Sequence, residues 1–223
     1  MIKPTNYKID PGIFKEACNQ LPKGQMKTTI NQPTGDFFYD LWILKDEYKN
    51  TVWQTIYDSL PAVKGEARII ILDPGQCYQS HADIDDRYHL NILGDESFLI
   101  DLVRERMHRL AADGIWYDMD AGWHHTAANF GRTCRIQLVV RKLLTRQKLT
   151  DPIRVKLSPV TPHIDSRFIF DHTISPWLNL TNKSKRLSNF KFDGQTVSMD
   201  IDQQSFDTLK EIVPDGFKLE LPV

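Results

Sequence analysis

The order of apolar and polar positions divides the chain into a helical start, a strand-rich middle and a mixed end. Asp10-Pro11-Gly12 offers an N-cap followed by proline at the first helical position, so a helix is predicted from Ile13 to Leu21. Pro33-Thr34-Gly35-Asp36 reads as a loop, and the apolar, aromatic run Phe37–Leu44 as a strand. Tyr48, Val52, Ile56 and Leu60 recur near helical spacing. They predict a second helix over Asp46–Leu60, stopped by Pro61. From Arg68 the pattern shortens. Arg68–Leu72, Tyr78–His81, Arg87–Leu93, Phe98–Val103, Arg106–Leu110, Ile115–Met119, Thr126–Asn129 and Cys134–Arg141 read as strands. Asp73-Pro74-Gly75, Asp113-Gly114 and Gly131 are among the turn residues between them. About eight strands at ~8–12-residue spacing predict a sandwich or barrel, and a two-sheet jelly roll buries one face of each strand without long exposed edges.

Residues 142–160 are polar and read as a linker. Beyond them, Phe190–Phe192 and Thr196–Ile201 form a predicted hairpin around Asp193-Gly194, followed by a helix over Ser205–Val213 and a strand over Phe217–Leu221. The expected organisation is a mainly β protein. Residues 1–150 form a double-stranded β-helix (jelly-roll, cupin-like) domain with N-terminal helices, and 151–223 a small α+β extension.

Composition narrows the function. The 223 residues carry 28 basic and 29 acidic side chains, a net charge of −1, with no cationic footprint for general nucleic-acid binding. No apolar stretch approaches the ~18 residues that span a bilayer. The start, MIKPTNYKID, has no apolar h-region. Cys18, Cys77 and Cys134 are too few and too far apart for a disulfide framework or a zinc pattern. Cys77 and Cys134 read as small buried apolar residues. A cytoplasmic location is expected.

The chemistry concentrates between residues 81 and 141. In His81-Ala82-Asp83 an imidazole and a carboxylate stand two apart, and on extended chain such residues project from one face. They can share a metal. His125, 44 residues further on, offers the third ligand. Two histidines and one carboxylate make the facial triad of non-haem Fe(II) oxygenases. His124 points to the opposite face from its neighbour and cannot ligate with it. A second His-x-Asp at His163 and Asp165 is followed only by His172, too close to cross a barrel, and reads as structural. His108 reads as a surface or strand-packing residue, and Tyr78 and Trp116 as core aromatics. Arg135 lies ten residues after His125 on the last core strand. There a guanidinium can grip the far carboxylate of a co-substrate in bidentate fashion. Formal charges then cancel: Fe(II) with Asp83 leaves one positive charge, Arg135 adds another, and 2-oxoglutarate brings two negative ones.

Three motifs carry a family resemblance. Pro74-Gly75 followed by His81-Ala82-Asp83 resembles a proximal-ligand motif, Arg87-Tyr88-His89-Leu90 an Arg-x-His-Leu strand, and His125 with Asn129 and Arg135 a distal motif. Over Arg68–Arg141 the chain resembles the Fe(II)/2-oxoglutarate-dependent oxygenases, in their aspartyl/asparaginyl β-hydroxylase-like branch, which includes some free-proline hydroxylases. The resemblance implies Fe(II) on His81, Asp83 and His125, with 2-oxoglutarate as co-substrate and O2 as oxidant. It also implies Arg135, Arg87 and His89 at the co-substrate, and hydroxylation of an amino acid or protein side chain with release of succinate and CO2. Some aspartyl β-hydroxylases lack the carboxylate ligand; this chain has Asp83. Gln137 stands where the branch often carries histidine, a departure that weighs on the branch and leaves the ligands alone. Asn129 is a candidate to fix an imidazole.

Two residues keep alternatives. Arg87 either reaches the co-substrate or pairs with Asp85 or Asp86 on a solvated loop, and His89 is either a co-substrate contact or a hydrogen-bonded core histidine. The competing function is a cupin-type metal-binding enzyme or sensor that does not use 2-oxoglutarate. The expected partner is a small-molecule or peptide substrate; the C-terminal extension is read as either pairing two copies of the chain in a homodimer or holding a protein substrate, and general nucleic-acid or membrane binding is not expected.

Overall fold

The computed structural model describes residues 2–22, 26–160, 169–193 and 196–221. The chain is mainly β and divides into two units, residues 1–80 with 85–143, and residues 144–223 with the short segment 81–84. His163 and Asp165 lie outside the described residues. Among the described residues, no helix is long and apolar enough to cross a membrane.

The first unit opens with β1 (Ile2–Lys8), then α1 (Phe14–Asn19), β2 (Lys27–Thr29), β3 (Asn31–Pro33), β4 (Trp42–Leu44) and α2 (Val52–Asp58). Strands β5 (Ala67–Leu72), β6 (Arg87–Leu93), β7 (Ser97–Asp101), β8 (Arg106–Arg109), β9 (Ile115–Met119), β10 (His125–Asn129) and β11 (Arg135–Arg141) follow, within a residue or two of seven predicted strands. The eighth, Tyr78–His81, is no strand but irregular chain, with an isolated bridge just before it from Cys77 to Ala128. Antiparallel pairing gives a six-stranded sheet in the order β1-β9-β6-β11-β5-β2 and a three-stranded sheet in the order β10-β7-β8, with β3 and β4 as a separate pair.

Three local expectations are corrected. Phe37–Leu44 is a strand only over Trp42–Leu44, because the Asp36 carboxylate accepts from the Phe38 and Tyr39 amides and turns the chain. The second helix is split. Asn50 sits at φ 58°, ending the 3-10 turn Asp46–Tyr48, and Thr51 caps α2 afresh by accepting from the Trp53 amide. β1 was not foreseen; its Pro4 is tolerated because β1 is an edge strand.

Strand β11 shows how the sequence separates packing from chemistry. Its side chains alternate across the sheet. Ile136, Leu138 and Val140 join Ala67, Ile69, Leu90, Ile92 and Trp116 in a core with Phe14, Ala17, Trp53, Ile56 and Leu60 from the first sixty residues, whose described part holds two short helices and four strands in place of the helical start expected. Arg135, Gln137 and Arg141, all buried, alternate with them and take the other face. Register places Gln137 opposite Asn91, and Val139 opposite His89. Leu72, Leu99, Leu110, Met119 and Ala127 form a second apolar cluster that joins the six-stranded and three-stranded sheets. Gly94, at φ 107° in the β6–β7 turn, lets the Arg135 backbone approach; a Cβ there would lie 3.1 Å from the Arg135 Cα.

In the second unit, β12 (Ile153–Pro159), β13 (Leu187–Phe192), β14 (Val197–Ile201) and β15 (Phe217–Glu220) form a sheet in the order β13-β14-β12-β15. A π-helical turn over Phe170–Ile174 leads into α3 (Ser175–Lys183), and α4 (Gln203–Ile212) is capped by Asp202. β12 corrects the expected linker. Ile153, Val155 and Leu157 alternate with Arg154 and Lys156, and Val155 and Leu157 are fully buried.

Candidate metal centre

His125 begins β10, opposite Asp101 of β7, and is buried. His81 and Asp83 lie on the irregular chain between β5 and β6, half-buried. Ligand atoms of all three lie within 4.8 Å of one another, and His81 Nε2 is 3.9 Å from Asp83 Oδ1. Donors at about 2.1 Å from one ion, at right angles, stand roughly 3 Å apart, so the triad would close by about 1–2 Å to hold a metal. Two imidazoles and a carboxylate, with no thiolate, suit a divalent first-row ion. Cys77 is exposed, and Cys134 is half-buried with its thiol on Asp73; neither is the small core residue expected.

The His125 Nδ1 donates to the Trp123 carbonyl at 2.8 Å, which fixes the tautomer and leaves the Nε2 lone pair for a metal. Asn129, one candidate for fixing an imidazole, does not do so here. The Asn129 amide is instead spent on its own turn, donating to the Leu72 and Thr133 carbonyls and accepting from the Gly131 amide. His124 stays outside the triad.

Arg135 is 1% exposed. Its Nε donates to Ser97 Oγ at 2.6 Å and a terminal nitrogen donates to Gln137 Oε1. No carboxylate pairs with it among the described residues, and burial pulls its pKa down to about 10. Its charge acts on Tyr78, whose buried hydroxyl has no hydrogen-bond partner and whose pKa burial raises. Tyr78 packs against the second apolar cluster as expected of a core aromatic, but its hydroxyl is an unexpected part of the site.

His89 faces the same interior. Its Nδ1 lies 3.3 Å from Gln137 Oε1, which also accepts from Arg135, so Nδ1 is the donor. Nε2 therefore carries a lone pair, buried and unpartnered. Burial lowers its pKa from 6.5 to about 3, Arg135, His125 and Arg87 adding to the shift and the Gln137 bond opposing it. The folded chain thus refuses, until about pH 3, a proton that the unfolded chain takes near pH 6.5. Stability is lost as pH falls through that window. His89→Asn is expected to flatten the decline, read as urea midpoints at neutral pH and at about pH 5.

Arg87 is engaged by Asp85, whose other oxygen accepts from Arg141 Nε at 2.8 Å. The Arg141 guanidinium also lies over the rings of Phe37 and Phe38, at 4.4 and 4.8 Å. This buried cluster, rather than a solvated loop, is where Arg87 finds its carboxylate. Asp85→Asn is expected to cost about 3–5 kcal/mol in chemical denaturation, since it strands the buried Arg141 guanidinium and the half-buried one of Arg87.

Sequence reading also passed over a small cavity beside His125, lined by Leu99, Asp101, His108, Met119, Asp120 and Trp123. The His108 Nε2 is buried there without a hydrogen-bond partner. A pocket residue is not legible from a lone histidine on a polar hairpin strand.

No family model matches the chain, and no curated protein matches it. Among solved structures it is similar to one described as the crystal structure of CapF with the inhibitor 3-isopropenyl-tropolone, at 13% identity and a TM-score of 0.32. The match covers 55% of this chain and 33% of that one, so this chain spans about a third of that protein. A superposition this loose assigns neither fold nor activity.

Proposed function

We propose that the chain is an Fe(II)/2-oxoglutarate-dependent dioxygenase that hydroxylates a C–H bond of an amino acid or protein side chain. The observation that carries this reading is Arg135. A guanidinium 1% exposed and without a carboxylate is expensive to hold in a protein interior. A dianionic co-substrate supplies the missing charge.

The strand order supports a double-stranded β-helix. From β5 to β11 the chain passes between the six-stranded and three-stranded sheets, with the Cys77 bridge extending the latter alongside β10. On this reading the triad, Arg135 and His89 surround one interior.

His81, Asp83 and His125 would hold the ion. When bound, Fe(II) with 2-oxoglutarate and O2 supplies the oxidation, inserting one oxygen atom into the C–H bond while the other enters succinate as CO2 leaves. Arg135 anchors the distal carboxylate, and the Tyr78 hydroxyl lies in the field of the same guanidinium. Gln137 and Ser97 hold that guanidinium in place. Leu72, Leu99, Met119 and Ala127 keep the interior dry, where the charge pair is strongest. His89 presents a lone pair and donates to an anion only after taking up a proton.

The test is succinate release from the Fe(II)-loaded protein with 2-oxoglutarate and O2, screened against free amino acids and peptides. Release stimulated by one substrate class is expected. A protein that binds metal but never consumes 2-oxoglutarate would be the cupin-type enzyme or sensor instead.

A further inference from the structure

The π-helical turn before α3 has a consequence for two of the metal ligands. In that winding each carbonyl accepts from the N–H five residues on, as Phe170 O does from the Ser175 amide. The next carbonyl is that of Asp171, and five residues on stands Pro176, which has no N–H. The Asp171 carbonyl accepts instead from the Ala82 amide at 3.1 Å. One helical turn beyond Ser175, Asn179, 3% exposed, donates from Nδ2 to the Asp83 carbonyl at 3.2 Å. Ala82 itself is buried. The backbone that carries His81 and Asp83 is thus held at two points by residues 171 and 179, and 81–84 belong to the same compact unit as 144–223.

We propose that the C-terminal unit is a positioning device for the metal centre, with Asn179 and the Asp171 carbonyl as its working groups. The inference rests on the metal-centre reading. Irregular chain outside any strand does not by itself fix two side chains on one ion. The two hydrogen bonds from the π-helical turn and α3 do, and Pro176 keeps the Asp171 carbonyl available for one of them.

Two variants of the full chain test it, with Co(II) as the probe. Asn179→Leu keeps the side-chain bulk and removes the donor. It is expected to weaken Co(II) binding by about 10–100-fold, the usual cost of losing a partner behind a ligand, and to change the Co(II) visible spectrum. Asn179→Gln should restore part of both. Pro176→Ala supplies an N–H that competes with Ala82 for the Asp171 carbonyl. It should therefore leave the metal-free melting temperature unchanged or higher while weakening Co(II) binding, a combination that a purely structural role does not produce. Unchanged affinity and spectrum in Asn179→Leu and Pro176→Ala, with binding still lost in His125→Ala, would overturn the positioning role and leave the metal centre standing. A wild-type protein that binds no Co(II) would remove both.

Discussion

Asp83→Ala is expected to abolish divalent-metal binding while leaving the metal-free fold intact. Asp83 is the one anionic donor in the triad, set among two imidazoles. Without it a dication faces only neutral ligands, and half of its charge loses its compensation. Losing a group behind a ligand costs about 10–100-fold in affinity, so losing this direct donor should cost more than ~100-fold. The fold should hardly notice. Asp83 is partly exposed, and its ion pair with His81, at 3.9 Å, is long. Exposed or loose pairs contribute about 0–1 kcal/mol. Calorimetric titration with Co(II) or Mn(II), beside a thermal melt of the metal-free protein, reads both quantities. Near wild-type affinity would show that the three residues do not share an ion. His125→Ala should reproduce the loss of binding.

Arg135→Met should separate stability from function in the opposite direction. Burying an unpaired guanidinium is costly, and replacement of buried charge by a well-packed apolar side chain is often neutral or stabilising by about 1–4 kcal/mol. The groups left behind keep partners: Ser97 Oγ still accepts from Gln137 Nε2 at 3.3 Å, and Gln137 Oε1 still faces His89 Nδ1. The metal-free variant should therefore unfold at the same or a higher urea concentration than wild type. Its 2-oxoglutarate affinity should fall by the ~2–5 kcal/mol typical of truncating a buried charge pair, roughly 30-fold or more. Metal affinity should be unchanged. A destabilised variant with normal 2-oxoglutarate binding would make Arg135 a structural residue.

The strand-rich middle was legible because its apolar residues alternate or run together between clear turns, and because the chemistry falls on short, rigid spacings. Arg135 projects opposite Ile136 by strand alternation, whereas residues 82 and 83 lie in no strand, so the alternation that pairs His81 with Asp83 in the sequence is not what brings them together. What escaped has physical causes too. β12 was hidden because Arg154 and Lys156 made a strict alternation look like a polar linker, and β1 because Pro4 argues against an interior strand. The Phe37 run is apolar, yet Asp36 bends it into a turn whose rings cover Arg141. The Asp85 partner of Arg87 is local and was among the sequence's alternatives, but the Arg141 guanidinium on the same carboxylate and the hold on Ala82 and Asp83 are tertiary. Residue 83 meets residue 179 across almost a hundred positions, and no local pattern announces such a pairing.

The most direct measurement is an anaerobic titration of 2-oxoglutarate into the Fe(II)-loaded protein, followed by visible absorption. Chelation of ferrous iron by the 2-oxo acid should give a visible charge-transfer band that saturates at one equivalent. The band should be lost in Asp83→Ala and displaced to much higher 2-oxoglutarate concentration in Arg135→Met. An Fe(II)-loaded wild-type protein that develops no such band would contradict the account.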